Sequence, residues 1–180
     1  MVPVPRAGTG ERASRAGYPG EQRAGPERPG AEHRERAPVS GEVVLGYDGS
    51  EGSKAAVGHA VDLAVAFGVP LVIVFAYGQN PTGGVTGDVK RAVEQVGESM
   101  LDEARGLAVA HDPSVAVQPE VVDGRPVDAL VGVARRNDAR MLVVGGNGHG
   151  SIVGSLLGST TYKLLHHAPV PVVVVQPGAG

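Results

Sequence analysis

From residue 42 onward the apolar positions alternate between two patterns, short continuous runs and stripes of helical period. "EVVLGY" (Glu42–Tyr47) is a β-branched run closed by the turn signal "DGS". Ser53 to Phe67 then places Ala56, Ala60, Leu63, Ala64 and Phe67 on one helical face. "PLVIVFAY" (Pro70–Tyr77) is apolar throughout, as expected of a strand covered on both faces. After a loop rich in Gly, Pro, Asn and Thr comes a longer helix, with Val89, Val93, Val96, Met100, Ala104 and Leu107 on a stripe, ending near "HDPS". "VAVQPEVV" (Val115–Val122) reads as a strand, and Pro119, which lacks a ladder donor, places it at a sheet edge.

Pro126 suits the first turn of a third helix, in which Val127, Leu130, Val131 and Ala134 form the apolar stripe. "RMLVVG" (Arg140–Gly145) is a fourth strand, Ser159–His167 a short fourth helix, and "PVPVVVV" (Pro169–Val175) a last strand. Strands separated by helices predict a parallel sheet wrapped on both faces, because each crossover is right-handed and must cover a face. The fold class is therefore α/β, a doubly wound five-stranded domain. Ligands of such sheets bind beyond the carboxyl ends of the strands, where strand order reverses. Here those ends are Tyr47-Asp48, Ala76-Tyr77 and Val144-Gly145.

The stretch "GGNGHGSIVGSLLGST" (residues 145–160) leaves the fourth strand at that place. Gly145, Gly146, Gly148 and Gly150 allow close approach of a ligand to the main chain, and successive amides in such a turn can form an anion nest. Gly158 precedes Ser159-Thr160-Thr161 at a helix start, where unpaired amides and the helix dipole favour phosphate. Each feature has a plainer alternative. The glycines can serve only to turn the chain, Asp48 can be a turn residue before "GS", and Ser159 can cap its helix. The P-loop pattern is absent, since no Gly-Lys pair occurs, and the dinucleotide pattern G-x-G-x-x-G is not met.

Composition narrows the function. The first forty residues carry six Pro, six Gly, seven Arg and five Glu, and their only branched aliphatics are Val2, Val4 and Val39, so this segment is expected to be a disordered tail. It has no apolar core of a secretory signal, and no run in the chain is long enough for a membrane span. A cytoplasmic protein without membrane attachment is expected. The absence of Cys removes disulfides, thiolate metal sites and cysteine nucleophiles. Residues 41–180 hold nine Lys+Arg against fourteen Asp+Glu, with few aromatics, which argues against a nucleic-acid partner.

The spacing Gly145-x2-Gly148-x9-Gly158-Ser159 resembles the G-x2-G-x9-G-[ST] signature of ATP-binding universal stress proteins. "VVLGYDGSEGS", "DGRPVDAL" and "HAPVPVVVV" are similar to the family's other landmarks, so the resemblance covers about Glu42 to Gln176. It implies a universal stress protein domain over residues 41–177, with a Rossmann-like sheet of order 3-2-1-4-5. It further implies a homodimer through the last strand, Pro171–Val175, and an adenine nucleotide bound without fast chemistry. By the same resemblance Gly46, Tyr47 and Asp48 would frame adenine and ribose, and Ala76 would line the adenine pocket. Val144 and Gly145 would lie along the ribose, Gly148 would approach the phosphates, and Gly158, Ser159 and Thr160 would hold them.

One departure bears on the ligand. Family members often carry Arg or Lys in the glycine loop, where this chain has Asn147 and His149. ATP, with or without Mg²⁺, is the first expectation, and cyclic AMP or AMP, which need less positive charge, are the alternatives. His149, which titrates near neutrality as imidazoles do, is expected to strengthen phosphate binding when protonated. His59, His166 and His167 lack metal-ligand spacing, no Ser/His/Asp or paired-carboxylate arrangement lies near the loop, and the HxGH motif of adenylyl-transferring relatives is absent. The chain is therefore expected not to be an enzyme, beyond slow hydrolysis of bound ATP. The alternative is a nucleotide-free dimeric interaction module.

Overall fold

The computed structural model describes residues 40–78, 87–148 and 157–178. Apart from Ser40, the expected tail of residues 1–40 lies outside them. Five strands form: β1 (Val43–Gly46), β2 (Leu71–Tyr77), β3 (Val117–Asp123), β4 (Met141–Gly145) and β5 (Val172–Val175). Between them run α1 (Glu51–Phe67), α2 (Gly87–His111), α3 (Pro126–Arg136) and α4 (Ser159–His167). The strands pair in parallel in the order β3-β2-β1-β4-β5. The order reverses between β1 and β4, whose shared register sets Leu45 opposite Val143 and Gly46 opposite Val144.

Side chains alternate across a strand, and this sheet uses both sides. Val43, Leu45, Leu71, Ile73 and Val143 pack with α1 and α2 through Ala56, Val57, Ala60, Val61, Leu101, Ala104 and Ala108. Val44, Val72, Val74, Leu142 and Val144 pack with α3 and α4 through Leu130, Val133, Ala134 and Leu164. Local signals set the helix ends. Ser50 caps α1 by accepting from the Ser53 amide, Gly68 closes it with a left-handed φ of 66°, and Pro126 opens α3.

The helix stripes follow the sequence expectation in α1, where Ala56, Ala60 and Ala64 are buried, and depart from it in α2. In α1 the buried band includes Val57 and Val61, while Leu63 and Phe67 are half-buried. In α2 the difference is larger, since Val89, Val96 and Leu107 are 52%, 50% and 41% exposed. The line facing the core is Gly97, Leu101, Ala104 and Ala108, with Met100 packed at its flank. Small residues carry little apolar signal, yet they let a helix approach the sheet. A Cβ at Gly97 would lie 2.6 Å from Cδ1 of Phe75 and 3.4 Å from Cγ1 of Val121.

Strand ends differ less. β5 begins at Val172, because Pro169 and Pro171 have no amide to give, although the Pro171 carbonyl still accepts from Leu142 at 2.9 Å. β3 is an outer strand with Pro119 opposite Ile73, and β5 is the other outer strand. Gly97→Val should therefore destabilise the fold by about 1–3 kcal/mol through overpacking against Phe75. Its exposed neighbour Val96→Ala should change stability by less than about 0.5 kcal/mol. Urea unfolding of both variants checks the placement of the α2 stripe.

Candidate functional site

The carboxyl ends of β1, β2 and β4, with the first turns of α3 and α4, enclose a cavity of about 500 Å³. That volume falls within the range of small-molecule sites. Gly46, Tyr47, Asp48, Ala76, Val144, Gly145, Gly148, Gly158, Ser159 and Thr160 all line it. His149, Gly150 and residues 151–156 lie outside the described residues. Val74, Ala76, Leu130 and Val144 supply apolar lining, and Asp48, Ser50, Asn147, Ser159 and Thr160 supply polar lining.

The lining begins where β1 ends. Asp48 accepts from the Ser50 amide at 3.0 Å and lies 2.5 Å from the Ser50 hydroxyl, both through Oδ1. Its other oxygen faces the glycine loop, since a Cβ at Gly148 would lie 2.6 Å from Oδ2. One oxygen of the carboxylate thus serves the turn, while the other lies beside the loop that lines the cavity. Leu130 packs close on the β1 backbone, where a Cβ at Gly46 would lie 2.9 Å from Leu130 Cδ1.

Tyr47 lines the cavity with its main chain. Its amide donates to the Val74 carbonyl at 2.9 Å, while its ring belongs to the core under α1 and α2. The phenol donates to Glu103 at 3.1 Å, and Lys54 reaches the same carboxylate at 2.9 Å. Burial, reinforced by Glu103, pushes the phenol pKa upward, so Tyr47 stays a protonated donor. Hydrogen bonds from Lys54 and then Tyr47 hold Glu103 below the usual carboxylate range. The alternation Val43, Leu45, Tyr47 in the sequence carries this face assignment.

The two glycine segments meet through the main chain. The Gly158 amide donates to the Gly146 carbonyl at 2.7 Å, and the Gly146 amide to the Val175 carbonyl at 2.7 Å. Thr161, only 4% exposed, donates its hydroxyl to the Gly145 carbonyl at 2.9 Å. The Gly158 amide, which the resemblance sets beside the phosphates, is committed to the Gly146 carbonyl. Gly158 is also the N-cap of α4 and provides no side-chain cap, so Ser159 stands in the first turn and does not cap the helix. Ser159, Thr160 and Thr161 form that first turn, whose amides precede the first intrahelical bond, from Tyr162 to Gly158, and carry the positive end of the helix dipole.

Sequence reasoning left half of the lining unassigned to the site, Val74, Pro126, Leu130 and Lys163 among it. Val74, Pro126 and Leu130 were read only as core or helix-start positions. Lys163 also lines the cavity, four residues after Ser159 and thus on the same helical face. Among the described residues, no group of three or more His, Asp or Glu could hold a metal ion. No helix among them is long and apolar enough to cross a membrane. The exit of β4 is backed by α1, because a Cβ at Gly145 would lie 2.4 Å from the Gly52 carbonyl carbon and 2.7 Å from the Ser53 amide nitrogen. Main chain cannot move aside as a side chain can. Gly145→Ala should therefore cost about 3 kcal/mol or more, whereas Gly132→Ala, in open space on α3, should stabilise by about 0.5–1 kcal/mol. Thermal unfolding of the two variants reads both signs.

The sequence profile of the universal stress protein family matches residues 41–176. A universal stress protein of Mycobacterium tuberculosis is 36% identical over 139 residues, covering 77% of this chain and 46% of that protein. The chain thus spans about half the length of the mycobacterial relatives it matches. A universal stress protein of Thermus aquaticus is 32% identical over 141 residues, 74% of this chain and 97% of the relative. A crystal structure of a universal stress protein in complex with cAMP is similar at a TM-score of 0.64 and 32% identity, covering 78% of this chain and 99% of that one. With the profile matched over residues 41–176 and these relatives, the chain belongs to the universal stress protein family.

Proposed function

We propose that the crevice binds an adenine nucleotide and that the protein is a cytoplasmic stress-response regulator without fast turnover. The observation that carries this reading is a cavity at the strand ends whose lining combines apolar side chains with an acidic residue and the first turn of α4. Adenine suits the pocket of Val74, Ala76, Leu130 and Val144, a ribose hydroxyl suits Asp48, and a phosphate suits the amides of Ser159 and Thr160. The cAMP-bound relative, at 32% identity, supports an adenylate in this chain. ATP is the first candidate, and cyclic AMP or AMP the alternatives. Since the described residues offer no acidic cluster, Mg²⁺ would be held chiefly by the phosphates of ATP. Asp48 is the one carboxylate among the lining residues, and it is engaged by Ser50, which supports binding without rapid hydrolysis.

Calorimetric titration with ATP, AMP and cyclic AMP, with and without Mg²⁺, tests the reading. Asp48→Ala should weaken the preferred adenylate about 10- to 100-fold, the loss expected for a hydrogen bond to a charged group. Absence of binding by every adenine nucleotide would refute it. We further propose a homodimer in which Pro171–Val175 pairs antiparallel with its twin. Supporting it, β5 is an outer strand of the sheet and Val172, Val173 and Val174 are half-buried in the single chain. Light scattering at micromolar concentration should return twice the chain mass; a monomer mass counts against this interface.

A further inference from the structure

A second cavity, of about 530 Å³, adjoins the crevice. Pro126, Ser159, Thr160 and Lys163 line both cavities and form their common wall. Beyond that wall the chemistry changes. The first chamber has the apolar side chains of Val74, Leu130 and Val144 in its lining, whereas the second is lined by Arg125, Asp128 and His167. On α4, Thr160, Lys163 and His167 recur at i, i+3 and i+7, one face of the helix.

The charges in this second chamber do not cancel. Asp128 is engaged by Arg125, whose Nε and Nη2 lie 2.7 and 2.6 Å from the same oxygen, Oδ2. Lys163 has no such partner. Among the described residues Lys54, Lys90, Arg91, Arg125 and Arg136 are in ion pairs and Arg140 lies over the Phe67 ring. That leaves Arg105, Arg135 and Lys163 uncommitted, and of these three Lys163 lines the two cavities. Residues 41–180 are acidic overall, with fourteen Asp+Glu against nine Lys+Arg, so a polyanion is welcome only where basic groups gather. A single phosphate is served by the first-turn amides of α4, but a longer phosphate chain brings charge that those amides alone do not balance.

We propose that the second chamber is an anion seat for the outer phosphates of a nucleoside di- or triphosphate whose base lies in the first, and that Lys163, on the common wall, distinguishes polyphosphate from monophosphate. This rests on the adenine-nucleotide reading above and adds to it the residue that sets phosphate number.

The test uses the full chain with three probes, ATP, AMP and inorganic tripolyphosphate, on wild type, Lys163→Gln and Lys163→Arg, with circular dichroism to confirm folding. Wild type should bind ATP about tenfold or more tighter than AMP, and Lys163→Gln should shrink that ratio about fivefold or more, in keeping with loss of one charge-assisted contact. Lys163→Arg should retain it. Tripolyphosphate should displace ATP from wild type and do so poorly in Lys163→Gln. Equal affinity for ATP and AMP in wild type, or a ratio unmoved in Lys163→Gln, overturns the proposal while adenylate binding stands. Lys163-dependent binding of tripolyphosphate without binding of any adenosine compound supports the anion seat and refutes the adenine reading. Binding of none of the three overturns both.

Discussion

The bond from the Gly158 amide to the Gly146 carbonyl, 2.7 Å long, is the contact on which the site depends. It ties the start of α4 to the exit of β4, and Thr161 repeats the tie one turn inward by donating to Gly145. Both bonds involve the main chain, so the spacing between the helix start and the strand end is set by backbone geometry. With α4 held there, its first turn lines the same crevice as Asp48, whose Oδ2 lies beside Gly148.

The remainder of the crevice follows from packing. Gly145 allows β4 to leave the sheet against the first turn of α1, and Ser50 both caps α1 and engages Asp48. The acidic group is thereby oriented by the same turn that starts the helix. Tyr47 joins this site to the opposite face of the sheet, since its main chain lines the cavity while its phenol, through Glu103, ties β1 to α2 and to Lys54 on α1. That hydrogen bond is part-buried, with the Glu103 carboxylate exposed, so its direct contribution to stability is small. Its larger effect is to leave the crevice face of β1 to Gly46 and Asp48.

Much of this was legible in the sequence where periodicity or spacing carries the information. Continuous apolar runs marked β2 and β4, Pro119 marked an outer strand, and Ser159–His167 was bounded as it folds. The α2 stripe was legible only at Met100 and Ala104, because the rest of its core face includes Gly97 and Ala108, residues whose value lies in what they allow to approach. The partner of the Gly158 amide was hidden for a related reason. Spacing shows that an amide is available but not which carbonyl it meets, and the partner, Gly146, lies twelve residues upstream. Lys163 was legible in principle from the helical period, but only once α4 was known to turn that face toward the cavity.

Backbone amides are the direct witnesses of a site made chiefly of main chain. An amide-resolved NMR titration of the protein with AMP should move the signals of Ala76, Gly148, Ser159 and Thr160 together, on one saturation curve, while α2 and the outer strand β3 stay in place. Shifts confined to other surfaces, or Ser159 and Thr160 unmoved at saturation, would contradict a crevice organised by the clasp of Gly158 on Gly146.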